Sequence, residues 1–294
     1  MRENMRIAES ELIINGDGSA FHIHIKPEEL ADIVILAGDP GRVELISSRF
    51  GSIEAKGASR EFHWATGSFR GKRMTALSTG IGTDNIDIVM TELDALANVD
   101  FRTREPKPEH KSLTILRIGT TGAIQPDIPL GSPIFSCYSI GCDGLLNWYR
   151  GRDEVCDLKM EAAFKAHTNW EGKLPAPYFV KNSAKLAELF KGQAVKGVTI
   201  SASGFYGPQG RVVRLGLAMP DMLDRFESFR YGDWRVTNFE MESSAVAGLG
   251  ALLGHEAGTI CCAIANRHLQ SSNPDYRPYV EALIDLALGR LASL

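Results

Sequence analysis

Residues 33–50 read IVILAGDPGRVELISSRF. The first five are apolar without a break and mostly β-branched, the composition of a strand covered on both faces. Gly38-Asp39-Pro40 stops that run, and from residue 43 to 50 the spacing turns helical. A buried strand passing through a tight turn into a helix is the repeating unit of layered α/β folds.

The unit recurs outward from this stretch. Phe62–Phe69 and residues 74–78 form a strand pair across Arg70-Gly71-Lys72, and 86–97 has helical spacing (Ile86, Val89, Met90, Leu93, Leu96). Residues 113–118 and 134–140 read as strands, 184–191 as a helix, 195–201 as a strand and 241–253 as a helix. A strand at 259–265 and a helix at 280–291 close the chain. The expectation is a single three-layer α/β/α domain over 1–294 with a central mixed, largely parallel twisted sheet, in which residues 1–20 are an N-terminal extension. Residues 102–111 (RTREPKPEHK) and 143–178 read as elaborated loops, because the alternation resumes on each side of both.

Charge and composition exclude several classes. Lys and Arg number 32 against 36 Asp and Glu, a net charge of -4, so nothing draws the chain to nucleic acid. The longest apolar stretch, 245–254 (AVAGLGALLG), is about half of a bilayer span. The first residues, MRENMRIAESELIING, carry acids and lack the apolar core of a secretory signal. Five cysteines (Cys137, Cys142, Cys156, Cys261, Cys262) are few and odd in number, which fits a reducing, cytoplasmic setting. With no CxxC and no HExxH, no metal site is expected.

Familiar nucleotide motifs fail on spacing. Gly67-Ser68-Phe69-Arg70-Gly71-Lys72 is one residue short of a phosphate loop, and Arg73 stands where Ser or Thr would hold magnesium. Gly80-Ile81-Gly82-Thr83-Asp84-Asn85 lacks the third glycine of a dinucleotide fingerprint, and no GxSxG is present. What remains is a set of small-residue turns after core strands: Gly38-Asp39-Pro40-Gly41-Arg42, Gly80-Ile81-Gly82, and Arg117-Ile118-Gly119-Thr120-Thr121-Gly122. Strand ends of open α/β sheets collect ligands, and exposed amides there favour anions. Arg42, Arg60 and Arg117 add planar donor forks suited to phosphate oxygens. A lone turn or arginine would mean only local geometry, so the residues by themselves point to a small anion.

Taken in order, these segments resemble the nucleoside phosphorylase family, and within it the uridine phosphorylases most, over about 21–291. The resemblance rests on Phe21-His22-Ile23, 37–42 (AGDPGR), Ser59-Arg60-Glu61-Phe62, 78–82 (STGIG) and 117–124 (RIGTTGAI). It continues through 205–211 (FYGPQGR), Phe239-Glu240-Met241-Glu242-Ser243 and Ala265-Asn266-Arg267. The family cleaves nucleosides with phosphate, giving free base and α-ribose 1-phosphate.

The resemblance implies roles residue by residue. Gly38, Arg42, Arg117 and Thr120 bind phosphate, with Arg60 lent by a neighbouring subunit. Met241 and Glu242 bind the ribose, Glu242 accepting from the 2′- and 3′-hydroxyls, because a carboxylate can serve two adjacent donors. His22 reaches across the dimer to the 5′-hydroxyl, although His24 would face the same side of a strand. Glu240 reads more as a charge on the first helical turn. Thr121, Gly122, Phe205, Gln209 and Arg211 surround the base, Gln209 pairing with an imide edge, and Arg267 acts as a gate. Arg117, Gln209, Arg211 and Glu242 form the catalytic set, stabilising charge on the departing base.

The chain departs from the uridine phosphorylases in two places. Residues 268–272 are HLQSS where Gln and Glu are usual, and Asn85 stands near the position where those enzymes carry the Ser that, with the Glu at the place of Glu61, holds an intersubunit potassium, which counts against that ion. The implied assembly is a homo-oligomer with shared sites, acting on a nucleoside and phosphate with no other cofactor. Three alternatives remain open: phosphorolysis of purine or deoxy nucleosides, hydrolysis, or non-catalytic nucleoside binding.

Overall fold

The computed structural model describes residues 6–294. In chain order the first elements are β1 (Ile33–Ala37), α1 (Pro40–Ser47), β2 (Ser52–Ser59), β3 (Phe62–Phe69), β4 (Lys72–Ser78) and α2 (Thr83–Asn98). A small ribbon of β5 (Val99–Asp100) and β6 (Glu105–Pro106) precedes β7 (Thr114–Ala123) and β8 (Pro133–Gly141). Then come α3 (Arg152–Val155), α4 (Leu158–Thr168), β9 (Tyr178–Lys181), α5 (Ala184–Leu189) and β10 (Val195–Ser201). The last part comprises α6 (Met222–Ser228), β11 (Arg230–Tyr231), β12 (Trp234–Glu240), α7 (Ser243–Leu252), β13 (Glu256–Asn266), β14 (Ser271–Ser272) and α8 (Arg277–Leu291).

Alternation along β1 builds the layers. Val34 and Leu36 join one apolar cluster with Val89 and Leu93 of α2 and Val246 and Leu249 of α7. Ile35 and Ala37 join a second with Val43 and Ile46 of α1 and Leu283, Ile284 and Leu288 of α8. Each such buried aliphatic side chain is worth about 1.5–3 kcal/mol relative to exposure, so both faces of the strand must be covered.

One twelve-stranded sheet runs in the order β11-β12-β10-β8-β13-β7-β1-β4-β3-β2, with β9 and β14 attached beside β8 and β13. Its central ladders, β1 with β4 and β7, β13 with β7, and β10 with β8 and β12, are parallel. The remaining ladders are antiparallel, so the sheet is more evenly mixed than strand–helix alternation suggests. The sheet also curls: β12 pairs with β7 at Asn238–Ala123 and Phe239–Gly122. That closure brings the end of β7 against the end of β12, which an open sheet would keep apart.

Several sequence expectations need correction. Residues 143–178 are not a loop, since they contain α3, the eleven-residue α4 and the start of β9. Phe164 of α4 is fully buried in an aromatic cluster with Phe179, Phe226 and Phe229, which explains the region's apolar content. Residues 102–111 are organised around the β5–β6 ribbon. Strands β2, β9 and β12 escape notice because they are short of apolar residues or abut turns. Of the N-terminal extension, residues 1–5 lie outside the described residues. Residues 6–20 are docked: Ile7 N donates to Arg104 O, and Leu12 packs on Ala95 and Val99. Among the described residues, no helix is long and apolar enough to cross a membrane.

Candidate active site

The site is built at the carboxyl ends of the central strands. After β1, Asp39 caps α1 by accepting from Gly41 N (2.9 Å), and Pro40 starts the helix without wasting a donor. This places Arg42 on the first turn, facing inward. Gly38 must be glycine in practice, since a side chain there would begin 3.2 Å from Gly80 O. The turn after β4 is also glycine-dependent, with φ of +69° at Gly80 and +101° at Gly82.

A cavity of about 800 Å³ opens between these turns and the ends of β7, β12 and β13. Gly38, Arg42, Arg117 and Thr120 line one part. Met241 and Glu242 follow, and Thr121, Gly122, Phe205, Gln209 and Arg211 line the rest. Eleven residues assigned from the resemblance therefore meet in one space. Arg117 and Thr120 do so from inside β7, whose pairing with β13 runs unbroken through them, and not from a strand-end loop.

Two guanidinium groups, those of Arg42 and Arg117, line the part of the cavity expected to take the anion. Arg42 Nη1 donates to Ile118 O (3.2 Å). Burial lowers its pKa, and the neighbouring Arg117 charge lowers it further, so this corner is short of negative charge. Burial alone would lower Arg117 as well, but Glu242 and Glu240 beside it raise it. Arg117 Nη1 is 3.1 Å from Glu240 Oε2, and Nη2 pairs with Glu242 Oε2. Its Nε is buried without a protein acceptor. Gly119 leaves room for this group, because a Cβ there would lie 2.3 Å from Arg117 Nη1 and 2.8 Å from Cys261 Sγ.

Glu242 immediately precedes α7 without capping it by its side chain, and its Oε1 accepts from Gly82 N (2.8 Å). The Gly80-Ile81-Gly82 turn thus spends one amide on a carboxylate instead of offering it to an anion. Burial raises the Glu242 pKa, Arg117 opposes the shift and Glu240 adds to it. Glu240 is no surface charge on a first turn: it is buried, and it corrects that sequence reading.

In the base half, Gln209 is buried and Phe205 is half exposed. Arg211 Nη1 donates to Gln209 Oε1 and to Phe205 O, both at 2.6 Å. Its guanidinium lies 3.8 Å from the Phe205 ring centroid, so the ring is an amphipathic wall and not a core aromatic. Burial and the charge of Arg267 hold Arg211 down at about 10, still protonated at neutral pH. Thr121 is committed to the fold, its hydroxyl donating to Phe239 O and accepting from Asn238 Nδ2. Arg267, expected as a gate, is outside the cavity lining and holds the loop that carries Gln209, donating to Gln209 O (3.0 Å) and Gly210 O (3.4 Å). The segment after it folds back, β14 on β13, and carries Ser272, Asn273, Pro274 and Tyr276 to the cavity wall. Asn273-Pro274 is a legible turn signal, but nothing local reveals where that turn lands.

His22 and Arg60 do not line the cavity. His22 lies in a turn, not on a strand, so His24, with φ of +52°, does not share its face. Glu92 accepts from His22 Nδ1 (2.6 Å) and from the backbone N–H groups of His22 and Ile23. Arg60 is exposed at the β2–β3 turn with φ of +52°. Glu61 and Asn85, weighed for a cation, meet over Gly80, where a Cβ would lie 3.1 Å from Glu61 Cγ and 2.5 Å from Asn85 Nδ2.

Away from the cavity, Asp94, His110 and His255 also come together. Leu113 N donates to His255 Nδ1 (3.2 Å), which leaves the ring proton on Nε2 facing Asp94 (3.3 Å). A ring nitrogen that carries its proton has no lone pair for a metal.

Residues 32–291 match the model of the phosphorylase superfamily, and the chain belongs to that family. It is an enzyme of the nucleoside phosphorylase, or pentosyltransferase, class. Among similar proteins, the uridine phosphorylase of Thermococcus kodakarensis is 30% identical over 254 residues, spanning 85% of this chain and 79% of that one. The uridine phosphorylase of Haemophilus influenzae is 29% identical, spanning 85% and 87%. A crystal structure of a Trypanosoma brucei nucleoside phosphorylase showing uridine phosphorylase activity superposes with a TM-score of 0.87 at 29% identity, covering 96% of this chain and all of that one.

Proposed function

We propose that the protein is a uridine phosphorylase. One observation carries the reading: a single cavity is lined by the Arg42–Arg117 cation pair, by Met241 and Glu242, and by Gln209, Arg211 and Phe205. A phosphate oxygen attacks C1′ of uridine while the C1′–N1 bond breaks. The bonding pair leaves with uracil, which then takes a proton, and the sugar departs as α-ribose 1-phosphate. The transition state is positive at the ring and negative on the base. Glu242 favours the first; Arg211 and Gln209 favour the second. Gly38, Arg42, Arg117 and Thr120 bind the phosphate.

Phosphorolysis is preferred to hydrolysis because water has no use for two cations in the cavity wall, Arg117 buried and Arg42 partly so. Uridine is preferred to purine nucleosides because no acid stands between Phe205 and Arg211 to protonate a purine N7. Gln209 Oε1, already accepting from Arg211, keeps a lone pair for an N3–H donor, and its Nε2 faces a carbonyl. The site is shared in a homodimer, since His22 and Arg60 point outside their own cavity. Ile81 (69% exposed) beside the cavity and Trp148 (88% exposed) supply apolar surface for such a contact. No other cofactor is invoked, and the five unpaired cysteines suit a cytoplasmic setting.

Base selectivity tests the reading. We expect kcat/KM for uridine to exceed that for cytidine and inosine by about 10⁴, because mismatched buried polar groups are costly. Comparable values for the three nucleosides would refute the base assignment.

A further inference from the structure

Glu240 makes more contacts in the cavity wall than any role in binding substrate can account for. Its Oε1 accepts from Ser201 Oγ (2.6 Å) and Ser243 N (3.0 Å). Its Oε2 accepts from Glu242 N and Ser243 N, both at 2.9 Å, and faces Arg117 Nη1 at 3.1 Å. A carboxylate has about four lone-pair directions, and here all are occupied by protein. Glu240 therefore has nothing left to offer a sugar or a phosphate. What it does hold are the two groups that would touch them: the arginine of the anion half, and the two amides that open α7 and set the position of Glu242.

We propose that Glu240 is a positioning residue, a fixed anchor for Arg117 while Glu242 is surrendered to the ribose. This rests on the proposed phosphorolysis. In the free protein Arg117 is shared between Glu240 and Glu242. Nucleoside binding needs Glu242 to accept from the 2′- and 3′-hydroxyls, which loosens its hold on Arg117. Phosphate binding needs Arg117 donors that Glu242 now occupies. Each substrate thus removes an obstacle to the other, provided that Arg117 stays in place when Glu242 lets go. Glu240, tied to three protein donors besides Arg117, keeps it there, and Cys261 Sγ lies 3.7 Å from Nη1 on the far side.

Two variants test this. Glu240→Gln keeps the shape and removes the charge, leaving Glu242 as the sole carboxylate on Arg117. The Arg117–Glu242 pair then tightens against both substrates. Phosphate alone, titrated against the Tm without nucleoside, should bind several-fold more weakly, and kcat/KM for uridine should fall about ten- to a hundredfold. An acid that only repelled the anion would act the other way, so tighter phosphate binding in E240Q overturns the proposal.

The pH profile gives a second reading. The charged and titratable groups around Glu242 are Arg117 on β7, Glu240 on β12, Cys261 on β13 and, beside Arg117, Arg42 on α1, while Asp143, paired with Tyr178, accepts from Ser244 in the first turn of α7. Of these, Glu240 supplies the nearest negative charge. Its neutralisation should move the acid limb of kcat/KM to lower pH, whereas Glu240→Asp should lose activity and leave the limb in place. A limb unmoved in a folded E240Q protein, its activity falling only with Tm, would overturn the proposal. If the unaltered chain fails to phosphorolyse uridine, the proposed reaction falls, and the phosphate titration of E240Q still decides the role of Glu240.

Discussion

Arg117 stands between two carboxylates and one guanidinium, so removing it has two separable effects. Arg117→Ala should lower kcat/KM with respect to phosphate by about 10²–10³, or about 2.7–4 kcal/mol, and affect uridine binding far less. It also leaves Glu240 and Glu242 buried without a counter-charge, which costs about 3–5 kcal/mol. The pH dependence has a definite sign. Glu242 already titrates above its ordinary 4.5, so the folded state holds that proton more tightly than the unfolded state. Such a group contributes fully below about 4.5 and loses its contribution as pH rises through the folded value. The Tm deficit of the variant should therefore be large at pH 8 and shrink toward pH 5; a deficit independent of pH would contradict the pairing. In the base half, Gln209→Ala should lower kcat/KM for uridine strongly and narrow its lead over cytidine. At this scale the residues expected to bind the anion, Gly38, Arg42 and Arg117, are legible as residues of one cavity, because they sit in turns and runs with few alternative uses. Glu240 is not legible, because two positions before Glu242 it looks like one more acid at a helix start. Only the fold reveals that Ser201, from another strand, donates to it.

At the scale of elements, β7 carries the site and β12 completes it. β1 is legible as an unbroken apolar run, and α2 by its spacing. β12 is not, because Trp234-Arg235-Val236-Thr237-Asn238 is neither an apolar run nor a strict alternation: the adjacent polar residues Thr237 and Asn238 break the pattern, and both are buried by hydrogen bonds within the curled sheet. Burial by closure has no periodic signature. Gly119→Ala tests β7 directly: its Cβ would push on both Arg117 and Cys261, so phosphate use should fall at least tenfold while the fold survives. Gly67→Ala tests the hairpin behind Arg60. There the clash is 2.1 Å from Ser52 O, a backbone atom that cannot swing aside, so denaturant titration should show a loss of at least about 1–3 kcal/mol. Wild-type stability in that variant would mean that β2 and β3 pair differently.

For the whole molecule, the central claim is that one chain supplies most of a phosphorolytic site and a second copy completes it. Mixing Arg42→Ala protein with Arg60→Ala protein should restore activity through hybrid dimers in which one of the two sites has both arginines. An active monomer in sedimentation would contradict the sharing. The reaction itself is tested most directly by incubating the unaltered protein with uridine, with and without inorganic phosphate, following uracil and identifying the sugar by phosphorus NMR. The account predicts uracil only when phosphate is present, matched mole for mole by ribose 1-phosphate. Uracil released with free ribose in phosphate-free buffer would contradict it.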